Sequence, residues 1–451
     1  MTRRRHPARF AAFRRLSALG LVGLLATATP AWAAATVPPV VALTSEPALA
    51  ALIWAQNPDV RQAAFAERQS LADLRRSELF PNPLVDVGQL SLPTGLGFMP
   101  EGTNLFHAPA QYVGVTQPVD FTKRPLRQAR AQYGVRLAHW QTLDMHKQRT
   151  ADLLAVVGRL AISQLRLQLW HEQTVVVQEL VRLSALTAKE GFTAPLDHEK
   201  LLLEQGRLQT LADLARITRE QARNDWAMLT LTQAPELQSG EAERIMDRLA
   251  HLPVQWPDPT VQLDHLPQRR MLELQRSQAG VDLAIAKQLW VPDVGVRVAY
   301  TFDTLPGNIP HSLAWSVSGP IPVFQAGEAE TIDAQARSEA YTVALQAQAS
   351  TTAFNEANIR QRATLLSQGL VTLRSERLPA ARATLARLQT ALTARGIPLT
   401  DFIQVRRTYL DLEGVRVDLL EQLHTALVDY RRLLAWQLPD PLLSPAAKEA
   451  P

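Results

Sequence analysis

The chain has no cysteine among its 451 residues. Disulfides, thiolate-held metals, a cysteine nucleophile and an acyl-anchored N-terminal cysteine are all excluded. Beyond the first 33 residues it also lacks any uninterrupted run of 18 apolar residues, so no later segment predicts a spanning helix. Any membrane crossing by the mature chain must then be made by strands. No Gly-x-Ser-x-Gly, Walker-type loop or dinucleotide fingerprint occurs. "HEQTV", from His171, lacks the second histidine of a zinc-protease helix, and His139 and His146 fall roughly 10 Å apart on one helix face, too far to share an ion. His107 and His311 fall in predicted hairpin loops and read as casually exposed. No catalytic, metal or cofactor residue is predicted, and the chain is not expected to be an enzyme.

What the sequence does have begins at its N-terminus. Arg3, Arg4, Arg5, Arg9, Arg14 and Arg15 precede the apolar run "LSALGLVGLLATATP" and the small-x-small site Ala31-Trp32-Ala33, which predicts a signal peptide over 1–33. Those six arginines are unopposed by acids, so removing them turns the formal net charge from +4 to −2. The mature chain then carries no basic surplus for nucleic acid. It is expected to be exported and free of a lipid anchor.

The rest reads as two copies of one unit. Pro58 in "AQNPDV" and Pro267 in "HLPQRR" are each followed 25 residues later by a second proline, Pro83 and Pro292, at a constant offset of 209. After each break comes strand, loop, strand and a very long helical pattern that ends near Gly191 or Gly396. Beyond those glycines the copies align at an offset of 204, pairing Asp197 with Asp401, Leu208 with Leu412, Asp225 with Asp429 and Trp226 with Tyr430. The predicted organisation is a first repeat over 34–235, with a hairpin at about 84–119 and a tip near 191–197, and a second over 267–436, with a hairpin at about 293–322 and a tip near 396–401. Residues 236–266 form a linker or equatorial segment, and 437–451 a flexible tail.

Residues 121–190 hold only Pro125 near their start and two interior glycines, and predict a helix on the order of 100 Å, the scale of a coiled coil or helical barrel. The second copy, 326–395, predicts a similar length with a break at Pro379. In the second hairpin Val294, Val296, Val298, Tyr300 and Phe302 share one strand face, as do Leu313, Trp315 and Val317 after the turn. Small and polar residues such as Arg297, Thr301, Ser312 and Ser316 share the other. Strands of about ten residues with one greasy face match a transmembrane barrel, and Trp290, Tyr300 and Trp315 suit its interfacial belts. The prolines end each helix at the membrane surface so that the chain crosses as a hairpin. Four strands cannot close a barrel, so other subunits must: two chains would supply eight strands and three would supply twelve.

The chain resembles the TolC-like outer-membrane efflux family over essentially its whole mature length. The matching stretches are Asn57-Pro58, "LFPNPLVDV", "TQPVDFTKRPLRQARA", "AKQLWVPDVGVRVAY", "SGPIPVF" and the duplicated glycine and aspartate tips. "FIQVRRTYLD" and "KRPLR" are most similar to its heavy-metal cation branch. The resemblance implies a mainly α fold with membrane β structure, a homotrimer whose twelve-stranded β-barrel continues into a periplasmic α-helical coiled-coil barrel, built from an internal two-fold repeat. It further implies an outer-membrane location in a Gram-negative bacterium, and partnership with a membrane-fusion adaptor and an inner-membrane transporter of the resistance-nodulation-division type. Gly191, Phe192, Gly396 and Ile397 would lie at the tip where the adaptor docks. Asp197 and Asp401 would either ring the aperture or cap the returning helices. The expected function is a passive exit duct for drugs or metal cations. A soluble periplasmic coiled-coil adaptor or scaffold is the main rival.

Overall fold

Prolines and the residues just before them decide where the helices of this protein begin and where strands replace them. The computed structural model describes residue 43 and residues 45–91, 110–120, 122–189, 195–237, 240–251, 266–303, 311–322, 324–393 and 399–434. All lie in one compact unit, Pro38–Pro451. The chain enters with helix α1 (Glu46–Gln56) and turns at Asn57 into α2 (Pro58–Glu78). The Asn57 side chain accepts from the Asp59 and Val60 amides at 3.0 and 3.1 Å, and Pro58 sits at the first helical position, where its missing donor costs nothing. Leu79 then turns extended ahead of Pro81 and Pro83, and strands β1 (Leu84–Ser91) and β2 (Ala110–Val119) follow.

Helix α3 (Arg124–Lys189) runs 66 residues, roughly 100 Å, and α4 (Pro195–Thr230) returns along it. A short helix, α5 (Glu241–His251), precedes the second repeat, which comprises α6 (Pro267–Ala286), β3 (Val294–Asp303), β4 (His311–Ser318), α7 (Glu328–Thr372), α8 (Leu378–Thr393) and α9 (Leu399–Leu433). Gly327 opens α7 with φ +95, and a Cβ there would lie 2.5 Å from the Ala286 carbonyl oxygen, so only glycine lets the chain pass the end of α6. The break predicted at Pro379 is not one. Leu373–Arg377 form a π turn between α7 and α8, and this wider turn absorbs the crowding that a proline ring imposes on the preceding carbonyls.

The four strands form one antiparallel sheet in the order β1-β2-β3-β4, so the two hairpins pair directly through β2 and β3 from Ala110↔Asp303 to Val119↔Val294. The core lies elsewhere, midway along the long helices. Leu49 and Ile53 of α1, Leu153 to Leu165 of α3, Trp226 of α4, Ile245 and Met246 of α5, Leu370 of α7 and Val417 to Val428 of α9 bury one another there. Trp226 is fully buried and donates its indole N–H to Thr232 Oγ1 at 3.2 Å.

The start of each predicted copy is held near the end of its last helix by a different kind of contact. Asn57 donates through Nδ2 to the Leu229 carbonyl at 2.9 Å, tying the start of the first repeat to the end of its last helix. Its counterpart Leu266 makes the corresponding link with apolar atoms, packing on Tyr430 and Leu434. One joint is thus polar in one copy and greasy in the other.

Candidate functional site

The sheet inverts the polarity of a soluble protein. Val85 and Val87 of β1, Val113 and Val115 of β2, and Val296, Val298, Tyr300 and Phe302 of β3 are all exposed, as are Leu313, Trp315 and Val317 of β4. Trp315 and Leu313 reach 79% and 75% exposure, values that would carry a large penalty in water and none in hydrocarbon. The register aligns these side chains in rows, such as Val85↔Val115↔Val298↔Trp315 and Val87↔Val113↔Tyr300↔Leu313. Val294, also predicted for this face, is half-buried at the foot of β3. The first hairpin contributes as fully as the second, although its sequence alternates less cleanly. The register would have been needed to see this.

Across β1 to β3 the opposite face is the better covered and the more polar, while β4 is exposed on both faces. Arg297 of β3 pairs with Asp86 of β1 across β2, and Arg297 Cζ stands 4.7 Å from the centre of the Tyr112 ring. Where sheet meets helices, Lys123 and Arg127 reach Asp293 at 3.0 and 3.2 Å, and Arg127 also holds Asp120 at 2.8 Å. Arg124 stacks on the exposed Phe80 ring at 3.8 Å. These contacts join the return of the first hairpin to the start of the second, beside exposed Trp290, Ile321 and Phe324.

At the far end of the helices, Gly191, Phe192, Gly396 and Ile397 lie outside the described residues. Asp197 and Asp401 are each the third residue of their helices, α4 and α9, so both sit in the first turn rather than before it. A carboxylate there favours the helix dipole. Asp401 is exposed. Between the second to fourth turns of α4 and α9 lies a groove of about 690 Å³ lined by Lys200, Arg207, Arg407, Gln404 and Asp411. Beneath it Arg406 is buried and donates to the Gln173 side chain; burial lowers its pKa to about 10, opposed by Glu204.

One exposed stripe was missed in the sequence. Ile332, Val343, Phe354 and Leu365 of α7 recur every 11 residues and are 61–72% exposed. Eleven residues make three turns, so these side chains stack on one nearly straight line along the helix. The three-then-four spacing used to find packing seams is blind to so sparse a row.

Among the described residues, no group of three or more histidine and acidic side chains could hold a metal ion, and no helix is long and apolar enough to cross a membrane. His146 is buried edge-on to Trp54 and bonded to the Ala50 carbonyl at 2.8 Å, and His139 pairs with Glu67 at 3.0 Å. His311 is the first residue of β4, stacked on Tyr300, not a loop residue as predicted. His107 is outside the described residues.

No protein-family model and no curated protein matches the sequence. Solved structures do. The open state of the MtrE outer membrane channel of Neisseria gonorrhoeae aligns with a TM-score of 0.71 at 17% identity, over 87% of this chain and 89% of that one. The CmeC outer membrane channel of Campylobacter jejuni aligns at 0.69 and 11% identity, over 85% and 84%. CusC, whose structures concern folding and transmembrane channel formation, aligns at 0.68 and 13% identity, over 87% and 91%. The likeness is one of fold.

Proposed function

We propose that this chain, which has the fold of the TolC-type outer-membrane channels, is the outer-membrane exit duct of a tripartite efflux system. The observation that carries the reading is the inverted sheet, with apolar side chains outward on all four strands and Arg297, Asp86 and Thr301 inward. Only a solvent that is greasy outside and watery inside stabilises both faces together. With β1 and β4 at the edges of the described sheet, further copies must close it, because an open edge in hydrocarbon leaves backbone groups unpaired at several kcal/mol each. Three copies give twelve strands, and the exposed α7 stripe supplies an apolar seam for side-by-side helices of neighbouring copies.

In this reading the duct is passive. A membrane-fusion adaptor grips the helical tips at Gly191, Phe192, Gly396 and Ile397, with the groove between α4 and α9 nearby, and an inner-membrane transporter supplies the energy. Splaying of the helix pairs opens the tip, and Asp197 and Asp401 place carboxylates around the aperture. Small solutes such as metal cations or drugs pass without chemical change, the selection being made upstream.

The deciding measurement is the native mass of the protein extracted in detergent from purified outer membranes. A species of three chains is expected. A monomer recovered from the soluble periplasmic fraction would overturn the duct and favour the scaffold.

A further inference from the structure

On the inward face of the sheet, two glycines carry large side chains laid flat over them. Gly88 is the register partner of Tyr112, and a Cβ at Gly88 would fall 2.7–2.9 Å from the phenol. Gly114 is the partner of Asp86 on one side and Ala299 on the other. Arg297, two residues along β3 from Ala299, therefore reaches Asp86 by crossing β2 directly above Gly114. A Cβ at Gly114 would lie 2.8 Å from Asp86 Oδ1 and 2.9 Å from Arg297 Nε, so the ion pair rests on bare backbone. The Tyr112 ring backs the guanidinium from the side. An arginine is long enough to extend well into a narrow pore; here it is folded down along the wall and neutralised there.

We propose that the Asp86–Arg297 pair, seated over Gly114, is the element that sets the charge preference of the barrel lumen toward small ions. The inference rests on the barrel reading above. In a trimer the pair repeats as a ring whose positive and negative members cancel. Deleting one member leaves a ring of three like charges in a water-filled channel with low-dielectric walls, where fields are focused and local ion concentrations follow them.

The absence of cysteine makes a direct test possible, since one introduced thiol is then the only reactive thiol present. Ser316 of β4 is the register partner of Arg297 and shares its face; Val317, the next residue, points to the apolar face opposite Val296. Full-length trimer in outer-membrane vesicles would carry S316C or V317C, and its labelling rate would be measured with an anionic sulfonate-bearing and a cationic trimethylammonium-bearing methanethiosulfonate. Adding D86N to S316C should raise the anionic-to-cationic rate ratio about 3- to 10-fold, and adding R297Q should lower it by a similar factor. The D86N/R297Q combination should return to within about twofold of S316C alone. If D86N does not assemble, R297Q carries the same decision with opposite sign. Ratios that ignore both substitutions, while S316C reacts and V317C stays protected, would overturn the proposal and leave the barrel intact. Equal labelling of V317C and S316C by both reagents would instead overturn the barrel, and the proposal with it.

Discussion

Burial pushes the His424 imidazole down to about 4 and the Glu46 carboxyl up to about 7, the latter opposed by Arg431 at 3.5 Å. Both groups sit in the helical part, His424 packed so tightly on Gly158 that a Cβ at that glycine would run into the ring. Their effects on stability have opposite signs. From pH 6.5 down to 4 the unfolded chain protonates this histidine while the fold keeps it neutral, so stability falls with acid. From pH 4.5 up to 7 the fold keeps Glu46 protonated while the unfolded chain ionises it, so stability falls with base. Across the shared window the two offset each other. E46Q is therefore expected to unmask the histidine, giving a thermal midpoint that drops more steeply than wild type between pH 6.5 and 4.5, and H424Q is expected to do the reverse. Parallel curves for wild type and both variants would sink this account. Neither residue was legible as special in the sequence, because both owe their shifts to helices brought together from distant parts of the chain.

At the scale of elements, strands β3 and β4 were readable because period-two alternation survives in them without interruption. Strands β1 and β2 were expected as a hairpin at about 84–119, but their apolar face was not legible, since Gly88, Gly114 and Pro118 dilute the alternation, and each glycine is explained only by the side chain that the neighbouring strand lays over it. Pro379 misled in the other direction. A proline inside a helical pattern signals a break, but the structure widens one turn and continues, with Arg374 of that turn held to Asp247 of α5 at 2.6 Å. The two faces of the sheet make different demands on substitutions. V298R, on the outward face, should cost about 2–4 kcal/mol and abolish the three-chain species expected by native mass measurement, whereas S312K, on the inward face beside Thr301, should change stability by less than about 1 kcal/mol. Equal tolerance of both would remove lipid from the outward face.

At the scale of the whole molecule, long helices and a repeated pattern were legible in the sequence, but almost nothing marked the surfaces on which copies of the proposed trimer meet. In the proposed trimer the α7 stripe is such a surface. F354E places a charge in the middle of it, at a residue 72% exposed in the single chain, so the helix itself should be little disturbed. The expected result is loss of the three-chain species in favour of monomer by native mass measurement, with helical content unchanged. An undiminished trimer would show that neighbouring copies meet elsewhere.

The even spacing of that stripe has a further consequence. Because its apolar residues recur every 11 positions, two such helices can slide past each other by one repeat, about 16 Å, and find nearly the same greasy neighbours again. A seam of this kind says which faces meet but not at what height. Strand pairing does the opposite, since a slip of one residue, about 3.3 Å, turns every side chain to the wrong side. In the proposed trimer the sheet thus serves as the vernier of the assembly: its fine graduations index the coarse ones of the helices, and levelling three separate tips to a common plane becomes a task performed at the other end of the protein.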